Sequence, residues 1–120
     1  MSVVETPLMQ VLSRALDLTA TRQGLVSQNV ANVDTPGYKA QDINFRQELE
    51  RALGDEEGRQ TAPLVRDVPG LIERPDGNNV SLERESLLMA QNQLAFQVDV
   101  ELLRAEFNRL QLAINGGNGQ

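Results

Sequence analysis

Apolar residues recur at helical spacing in two long segments, one near each end of the chain, and this periodicity constrains the fold most strongly. The first segment starts at Thr6-Pro7, because threonine is a favourable N-cap and proline suits the first helical position. From there the residues of one face advance by alternating steps of three and four, the spacing of a heptad repeat. The series contains Leu8, Val11, Ala15, Leu18, Arg22, Leu25, Asn29 and Asn32. A long amphipathic helix is therefore predicted, ending by about Asp34.

Further apolar residues widen this stripe beyond the narrow seam of a two-stranded coiled coil. They are Leu12, Leu16, Val26 and Val30. A broad apolar stripe predicts contacts with more than one neighbouring helix. Arg22, Asn29 and Asn32 interrupt the stripe with polar groups. These residues are either tolerated at exposed positions or fix the register with a partner, at some cost in stability.

A second long helix is predicted from Ser81 to about Ile114. Ser81 is a credible N-cap, and Glu83 and Glu85 in the first turn favour the helix dipole. One heptad series along this helix contains Leu88, Gln91, Ala95, Val98, Leu102, Ala105, Arg109 and Leu112. Another contains Leu87, Leu94, Leu103, Phe107, Leu110 and Ile114. This helix therefore has two sides to bury.

Two long terminal helices predict an all-α fold in which they pair as an antiparallel coiled coil. The expected helix interface consists of Leu8, Val11, Ala15, Leu18, Leu25, Leu88, Ala95, Val98, Leu102, Ala105 and Leu112. A hairpin covers one stripe per helix and leaves the other open, and open apolar stripes of this size mark contacts with other molecules. Because a two-helix core is thin against the entropy of ordering it, the isolated chain is expected to be marginally stable and partly disordered.

The middle of the chain is rich in proline and glycine and differs in character from both ends. Residues 1–34 and 80–115 are predicted to form a discontinuous helical core domain. Residues 35–79 are predicted to be an extended middle segment, and residues 116–120 a flexible tail.

Short elements are expected within the middle segment. A helix is predicted over Asp42–Leu53, with Ile43, Phe45, Leu49 and Leu53 as its apolar side. Pro63–Val68 and Gly70–Arg74 are candidate short strands, and Pro75-Asp76-Gly77-Asn78 is a strong turn signal. A small hairpin or an extended loop is the expected outcome.

Composition excludes most catalytic chemistry. The chain has no Cys and no His, which removes disulfides, thiolate nucleophiles, Cys/His metal sites and imidazole acid–base catalysis. Lys39 is its only lysine. The net charge of −6 argues against nucleic acid, for which a basic face is expected. We therefore predict no catalytic residues, no metal site, no cofactor and no small-molecule substrate.

Two classes of membrane signal are also missing from the sequence. No run of apolar residues is long enough for a transmembrane helix. The segment that begins at Met1 has neither the basic nor the apolar region of a secretory signal peptide, so export is expected to use another route.

The stretch from Asn29 to Lys39 ends the first helix and turns the chain. Pro36 cannot continue a helix, and it pushes Thr35 out of the α region. Pro36-Gly37 has the order that a type II turn requires, with glycine at the position of positive φ. Tyr38, the only tyrosine, follows directly. Physics alone identifies this stretch as a helix terminator with a turn.

The same stretch resembles the N-terminal signature of the bacterial flagellar rod, hook and filament-junction proteins, approximately Asn-x-Ala-Asn-x-x-Thr-Pro-Gly-Tyr-Lys. The matching residues are Asn29, Ala31, Asn32, Thr35, Pro36, Gly37, Tyr38 and Lys39. The short chain, residues 39–45 and residues 77–80 look most like the proximal rod members of this family. The resemblance implies a structural subunit whose terminal helices pack helically into a hollow rod, and we expect Asn29 and Asn32 to fix register in a seam between subunits.

The resemblance also implies partners and a location. The partners are further copies of the chain, other rod proteins, the membrane-ring protein and rod adaptor at the base, and the flagellar type III export apparatus. The location is the periplasm-spanning rod of the basal body, reached without a signal peptide. Phe45 and Leu49 are similar to the family's short export-gate signal, although packing on one helical face explains them equally well. The alternatives are another rod protein of the family, or a generic helical adaptor or secretion chaperone.

Overall fold

The computed structural model describes residues 5–54 and 61–116, which form an elongated, mostly helical molecule with principal extents of 71 × 29 × 23 Å. In chain order the elements are α1 (Pro7–Ala31), β1 (Gln41–Asp42), α2 (Phe45–Gly54), β2 (Arg66–Asp67) and α3 (Leu82–Gly116). The predicted all-α class is confirmed, with one very small sheet added to it.

The two long helices run antiparallel, as predicted. As the residue number increases along α1, the residue number of its contact on α3 decreases. The hydroxyl of Thr6 donates to Glu106 at 2.7 Å, and the amide of Asn92 donates to Gln23 at 2.9 Å. The amide of Asn29 donates to Glu85 at 3.0 Å.

Both ends of α1 lie where the local sequence predicts them. Thr6 caps the N-terminus by accepting the backbone N–H of Met9 at 3.1 Å, and Pro7 occupies the first turn. After the helix, the N–H of Tyr38 donates to the carbonyl of Thr35 at 3.2 Å, and Gly37 has a φ of 77°. These features confirm the type II turn at Pro36-Gly37.

The short helix α2 begins later than predicted, at Phe45 rather than Asp42. The side chain of Asn44 accepts the N–H of Gln47 at 3.0 Å and thereby acts as the N-cap. Asp42 is instead part of β1. The helix therefore starts where a capping side chain is available, and the residues before it stay extended.

The apolar side of α2 covers α1. Phe45 and Leu49 pack against a core formed by Leu18, Leu25 and Ile43. Leu53, predicted to share this side, is instead exposed. Ala52, one residue earlier, is buried in its place, because at about 100° per residue it lies within about 20° of Phe45 around the helix, whereas Leu53 lies about 80° away.

The small sheet joins two parts of the middle segment, and the sequence did not predict that they would pair. β1 and β2 are antiparallel, with Gln41 opposite Asp67 and Asp42 opposite Arg66. The candidate strand Pro63–Val68 therefore shrinks to two residues. The candidate strand Gly70–Arg74 is wrong, because this segment is held between turns at Gly70 and Gly77, both of which have positive φ.

The turn predicted at Pro75–Asn78 is present. The N–H of Gly77 donates to the carbonyl of Arg74 at 2.8 Å, and the N–H of Arg74 donates to the carbonyl of Asn78 at 2.8 Å. This is the hydrogen-bond pattern of a tight three-residue loop closed by a glycine of positive φ, here 88°.

The last helix continues further than predicted. α3 runs through Asn115 to Gly116, two residues beyond Ile114, because Gly116 does not take the positive φ of a helix cap. The rest of the predicted tail, residues 117–120, lies outside the described residues. The division into a helical core and a middle segment stays a prediction, and the packing of Ile43 on α1 shows that the two parts are in contact.

Candidate functional site

Asn29 is the centre of a buried polar cluster at the end of α1. Only 1% of the residue is exposed. Its Nδ2 donates to the carbonyl of Gln41 at 2.9 Å and to Glu85 Oε1 at 3.0 Å, and its Oδ1 accepts the Tyr38 hydroxyl and the Gln41 N–H, both at 3.0 Å. The amide is therefore fully used within one chain, and it joins α1, β1 and α3.

Tyr38 reaches back to this cluster from the turn. Burial, together with the negative charges of Glu85 and Asp67, raises the pKa of Tyr38 above its ordinary value. The phenol therefore stays protonated and donates its hydrogen to Asn29. In this way the only tyrosine holds the turn against the end of α1.

Asn78 ties the second turn to the end of α1. Its Nδ2 donates to the carbonyls of Asn32 and Thr35, both at 2.9 Å, and its Oδ1 accepts the N–H of Val80 at 2.8 Å. The residue is fully buried. Because the carbonyls near a helix C-terminus have no partners within the helix, this side chain completes the end of α1.

Asn79 continues the same connection along the chain. Its side chain accepts the N–H of Ala40 at 2.7 Å, and its own N–H donates to the carbonyl of Tyr38 at 3.3 Å. We call Asn29, Tyr38, Asn78, Asn79 and Glu85 the motif clamp. The clamp connects the end of α1, the turn after it and the start of α3.

The two turns also meet backbone to backbone. The N–H of Gly37 donates to the carbonyl of Asp76 at 2.9 Å. A Cβ atom added to Gly77 would lie 3.3 Å from the Cα of Gly37, which is closer than an ordinary van der Waals contact. Lys39 binds both the carbonyl of Gly77 and the carboxylate of Glu73, so the last residue of the motif joins the two turns as well.

An ionic network of Arg22, Asp42 and Arg84 contacts the clamp at Glu85. Arg22 forms a fork on Asp42 with contacts of 3.0 and 2.8 Å, and Arg84 reaches the same carboxylate at 2.6 Å and Glu85 at 3.0 Å. Burial alone would raise the pKa of Asp42, but the hydrogen bonds from Arg22, the Ile43 N–H and Arg84 hold it below its ordinary value. The carboxylate is therefore charged and anchors α1 and α3 to β1.

Asn29 and Asn32, which were expected to fix register in a seam between subunits, both have partners within their own chain. Asn29 is saturated inside its own chain. Asn32 is also used locally, because its amide donates to the carbonyl of Gln28 at 2.8 Å and accepts the hydroxyl of Thr35 at 3.0 Å. Arg22, the third polar residue of the stripe, binds Asp42 within the chain.

The remaining motif residues have simpler surroundings. Ala31, Thr35, Pro36 and Gly37 are exposed. Sequence reasoning did not predict the contacts that Asp42, Asn78, Asn79, Arg84 and Glu85 make in this cluster. The available signal was the pair Asn78-Asn79 directly after a turn, because asparagine side chains readily bond to nearby backbone groups.

The residues predicted to form the helix interface divide into three groups. Ala15, Leu18, Leu25 and Leu88 are buried, and Val11 and Ala95 are half-buried. The exposed members are Leu8, Val98, Leu102, Ala105 and Leu112. On α3 the reason is geometric, because a seven-residue repeat drifts by about 20° per heptad around a straight helix and so turns away from α1.

The outer surface of α3 therefore carries two apolar stripes. The aromatic stripe consists of Phe96, Val100, Leu103, Phe107, Leu110 and Ile114. The aliphatic stripe consists of Leu87, Leu94, Val98, Leu102, Ala105 and Leu112. Exposed fractions of 53% for Phe107, 62% for Leu94 and 72% for Leu112 show how much apolar surface is open.

Towards the C-terminal end of α3, a hydrogen bond connects this helix to the N-cap of α1. Glu106 accepts the Thr6 hydroxyl and pairs with Arg109 at 2.8 Å. These hydrogen bonds, that of Arg109 first, lower the pKa of Glu106 to about 2. The contact fixes where α1 begins along α3.

Residues 5–54 and 61–116 contain neither a metal-binding cluster nor a membrane-spanning helix. No cluster of His, Cys, Asp or Glu there could hold a metal ion. None of the helices in these ranges has the length and hydropathy needed to cross a bilayer.

Comparison with known proteins gives one consistent result. The model of the family described as flagella basal body rod protein matches residues 9–39, which contain α1 from Met9 onward and the whole motif. Flagellar basal body rod protein FlgB of Cereibacter sphaeroides is 37% identical, over 88% of this chain and 92% of the relative. The FlgB proteins of Salmonella typhimurium and Aeromonas hydrophila are 33% and 34% identical, over 87% and 85% of this chain and 90% and 88% of the relatives.

Proposed function

Because this chain belongs to the FlgB family of flagellar basal body rod proteins and is a structural subunit of that rod, we propose that it assembles there through the outer surface of α3. The observation that carries the proposal is the open apolar surface of α3, on which Leu94 and Leu112 are 62% and 72% exposed. Contiguous apolar patches on a protein surface mark interaction sites.

The lengths of the two helices add support. α1 has 25 residues and α3 has 35, which correspond to about 37 and 52 Å at the rise of an α-helix. Since Thr6 at the start of α1 meets Glu106, residues 107–116 of α3 extend beyond α1. Phe107, Leu112 and Ile114 in this extension are all more than half exposed. A neighbouring subunit would cover them.

The motif clamp has a supporting role in this proposal. It fixes α1 and the turns against the start of α3, and it thereby sets which sides of α3 remain open. The motif residues Asn29, Asn32, Tyr38 and Lys39 therefore serve assembly indirectly, by shaping the subunit rather than by touching a neighbour.

Family membership places the chain in the basal body among other flagellar components. Within that setting we propose that further copies and other rod proteins are its immediate neighbours, with the membrane-ring protein and rod adaptor below it. We also propose that it lies in the proximal part of a hollow rod and reaches it through the flagellar type III export apparatus. Its role is mechanical, with no catalysis, cofactor, nucleic acid or small-molecule substrate.

An export role for Phe45 and Leu49 is part of the proposal. In the folded chain both side chains pack against Leu18, Leu25 and Ile43, so a gate could read them only before folding. The packing and export roles therefore apply at different times and are compatible.

Deletion of the gene tests the proposed position. We expect non-motile cells whose basal bodies keep the membrane ring and lack the rod above it, and we expect the wild-type gene to restore both. Intact rods in the deletion strain would contradict the proposal.

A further inference from the structure

The two apolar stripes of α3 point to a specific way in which copies of this chain pair. We propose that the aromatic stripe of one copy packs against the aliphatic stripe of the next, with the two α3 helices parallel. The inference rests on the proposed assembly through α3 and adds to it the identity and orientation of the partner surface.

The stripes lie on opposite flanks of one helix. At about 100° per residue, Leu94 and Phe96 point in directions about 200° apart, and the buried Leu88, which faces α1, lies between them. The members of the aromatic stripe follow alternating steps of four and three residues from Phe96 to Ile114, the spacing of a coiled-coil seam. Each flank can therefore accept a helix while α1 stays in place.

Both stripes combine projecting side chains with a depression, and the depression on the aromatic stripe, beside Phe107, has a volume of about 280 Å³. The aromatic stripe presents Phe96 and Phe107, each 53% exposed, as projecting side chains. The aliphatic stripe contains a depression of about 320 Å³ lined by Leu94, Gln97, Val98, Glu101 and Leu102. In coiled-coil packing a projecting side chain enters a hole between four residues of the facing helix. A phenylalanine from the next copy is the matching occupant of this hole.

The charges beside the stripes specify orientation. Arg104 borders the aromatic stripe and Glu101 borders the aliphatic stripe, and their side chains, each 70% exposed, pair at 3.0 Å on the outer side of α3. In parallel neighbours with the same side outward, Arg104 of one copy faces Glu101 of the next. In antiparallel neighbours with the same side outward, like stripes would meet and Arg104 would face Arg104, which is unfavourable.

Coverage favours unlike pairing as well. Aromatic-to-aromatic pairing would leave Leu94 and Leu112 open, and aliphatic-to-aliphatic pairing would leave both phenylalanines open. Unlike pairing covers both stripes with one type of contact. Such a contact between different surfaces leaves a free surface at each end of a row of copies, which is the type of contact that builds an open helical assembly.

Two matched substitutions test the inference in the purified full-length chain. Phe96→Glu blocks the aromatic stripe, and Leu94→Glu blocks the aliphatic stripe two residues away. Both side chains are exposed, so circular dichroism should show unchanged helicity. Ser86→Glu, on the exposed side midway between the stripes, is the control and should oligomerise like the wild type.

The expected masses by analytical ultracentrifugation follow from the pairing rule. At the highest soluble concentration the wild-type chain forms oligomers, and each blocked variant alone stays monomeric, because every contact needs both stripes. An equal mixture of the two variants forms a dimer and nothing larger, because only one intact pair of surfaces is left.

Three results would overturn the inference: a variant that dimerises alone, a mixture that stays monomeric, or a monomeric wild type. None of these results changes what is expected of the deletion strain, which should still lack the rod. The pairing rule can therefore fail while the rod function stands. Conversely, intact rods in the deletion strain would refute the function whatever the masses are.

Discussion

The side-chain amide of Asn29 donates a 3.0 Å hydrogen bond to the carboxylate of Glu85, 56 positions further along the chain. This bond joins the last turn of α1 to the first turn of α3. The hairpin is therefore closed by polar contacts at this end. At the other end α3 continues past α1 as an apolar extension. One end of the molecule is fixed internally, and the other offers surface to neighbours.

Replacing Asn29 by alanine should destabilise the isolated chain by about 3 kcal/mol. The substitution removes a partner from the half-buried N–H and carbonyl of Gln41 and from the fully buried carboxylate of Glu85, and unmade buried hydrogen bonds cost about 1–3 kcal/mol each. Urea unfolding followed by circular dichroism measures the change. Gln28→Ala, at the exposed neighbouring position, is the control and should change stability by less than about 0.5 kcal/mol. Equal stabilities of the two variants would refute the internal role of Asn29.

The pKa of Tyr38 should be higher in the folded chain than the ordinary pKa of a tyrosine. Burial and the nearby carboxylates favour the protonated phenol, so its stabilising effect is complete below the unfolded pKa and is lost as the pH rises through the folded pKa. Because the chain has one tyrosine and no tryptophan, phenolate absorbance reports this group alone. We expect the pKa to return to about 10 in concentrated urea. A folded-state pKa at or below the unfolded one would contradict the hydrogen bond to Asn29.

The contact between the two turns predicts that Gly77→Ala is worse than Gly70→Ala. Both glycines have positive φ, 88° and 80°, so alanine costs about 1 kcal/mol at either position for conformation alone. Only at Gly77 would the new Cβ meet backbone, at 3.3 Å from Gly37. We expect a total loss of about 2–3 kcal/mol there, by chemical unfolding, because overpacking adds its own cost. Equal losses at the two positions would show that the turns are not in close contact.

Export should distinguish the two roles of Phe45 and Leu49. If the pair is read by the export gate, replacing both residues by alanine leaves the protein in the cytoplasm. Leu18→Ala is the matched control, because it weakens the same core without changing the export segment. Immunoblots of exported and cytoplasmic fractions should show the control exported and the double variant retained. Export of the double variant at the control level would leave these residues with the packing role alone.

Features that depend on neighbouring residues could be predicted from the sequence. The start of α1 at Thr6-Pro7 and the turn at Pro36-Gly37 are examples, because capping and turn geometry are local. The partners of Asn29 could not be predicted, because a side-chain amide can bond within its chain or to another chain, and Glu85 is remote in sequence.

The small sheet was equally inaccessible to sequence reasoning. Its strands have two residues each, too few for an alternating pattern. They are held in place because Arg22 from α1 and Arg84 from α3 converge on Asp42. The exposed apolar stripes of α3, in contrast, can be predicted from the sequence. A seven-residue repeat drifts around a straight helix, so residues of one heptad series cannot all face α1.

Electron cryomicroscopy of isolated basal bodies, with side chains resolved, tests the central claim most directly. We expect this chain in the rod, each copy with its own Glu85 beside its own Asn29, and contacts between copies formed by the outer surface of α3. A rod that lacks this chain, or one in which the Glu85 beside Asn29 comes from a neighbouring subunit, would contradict the account.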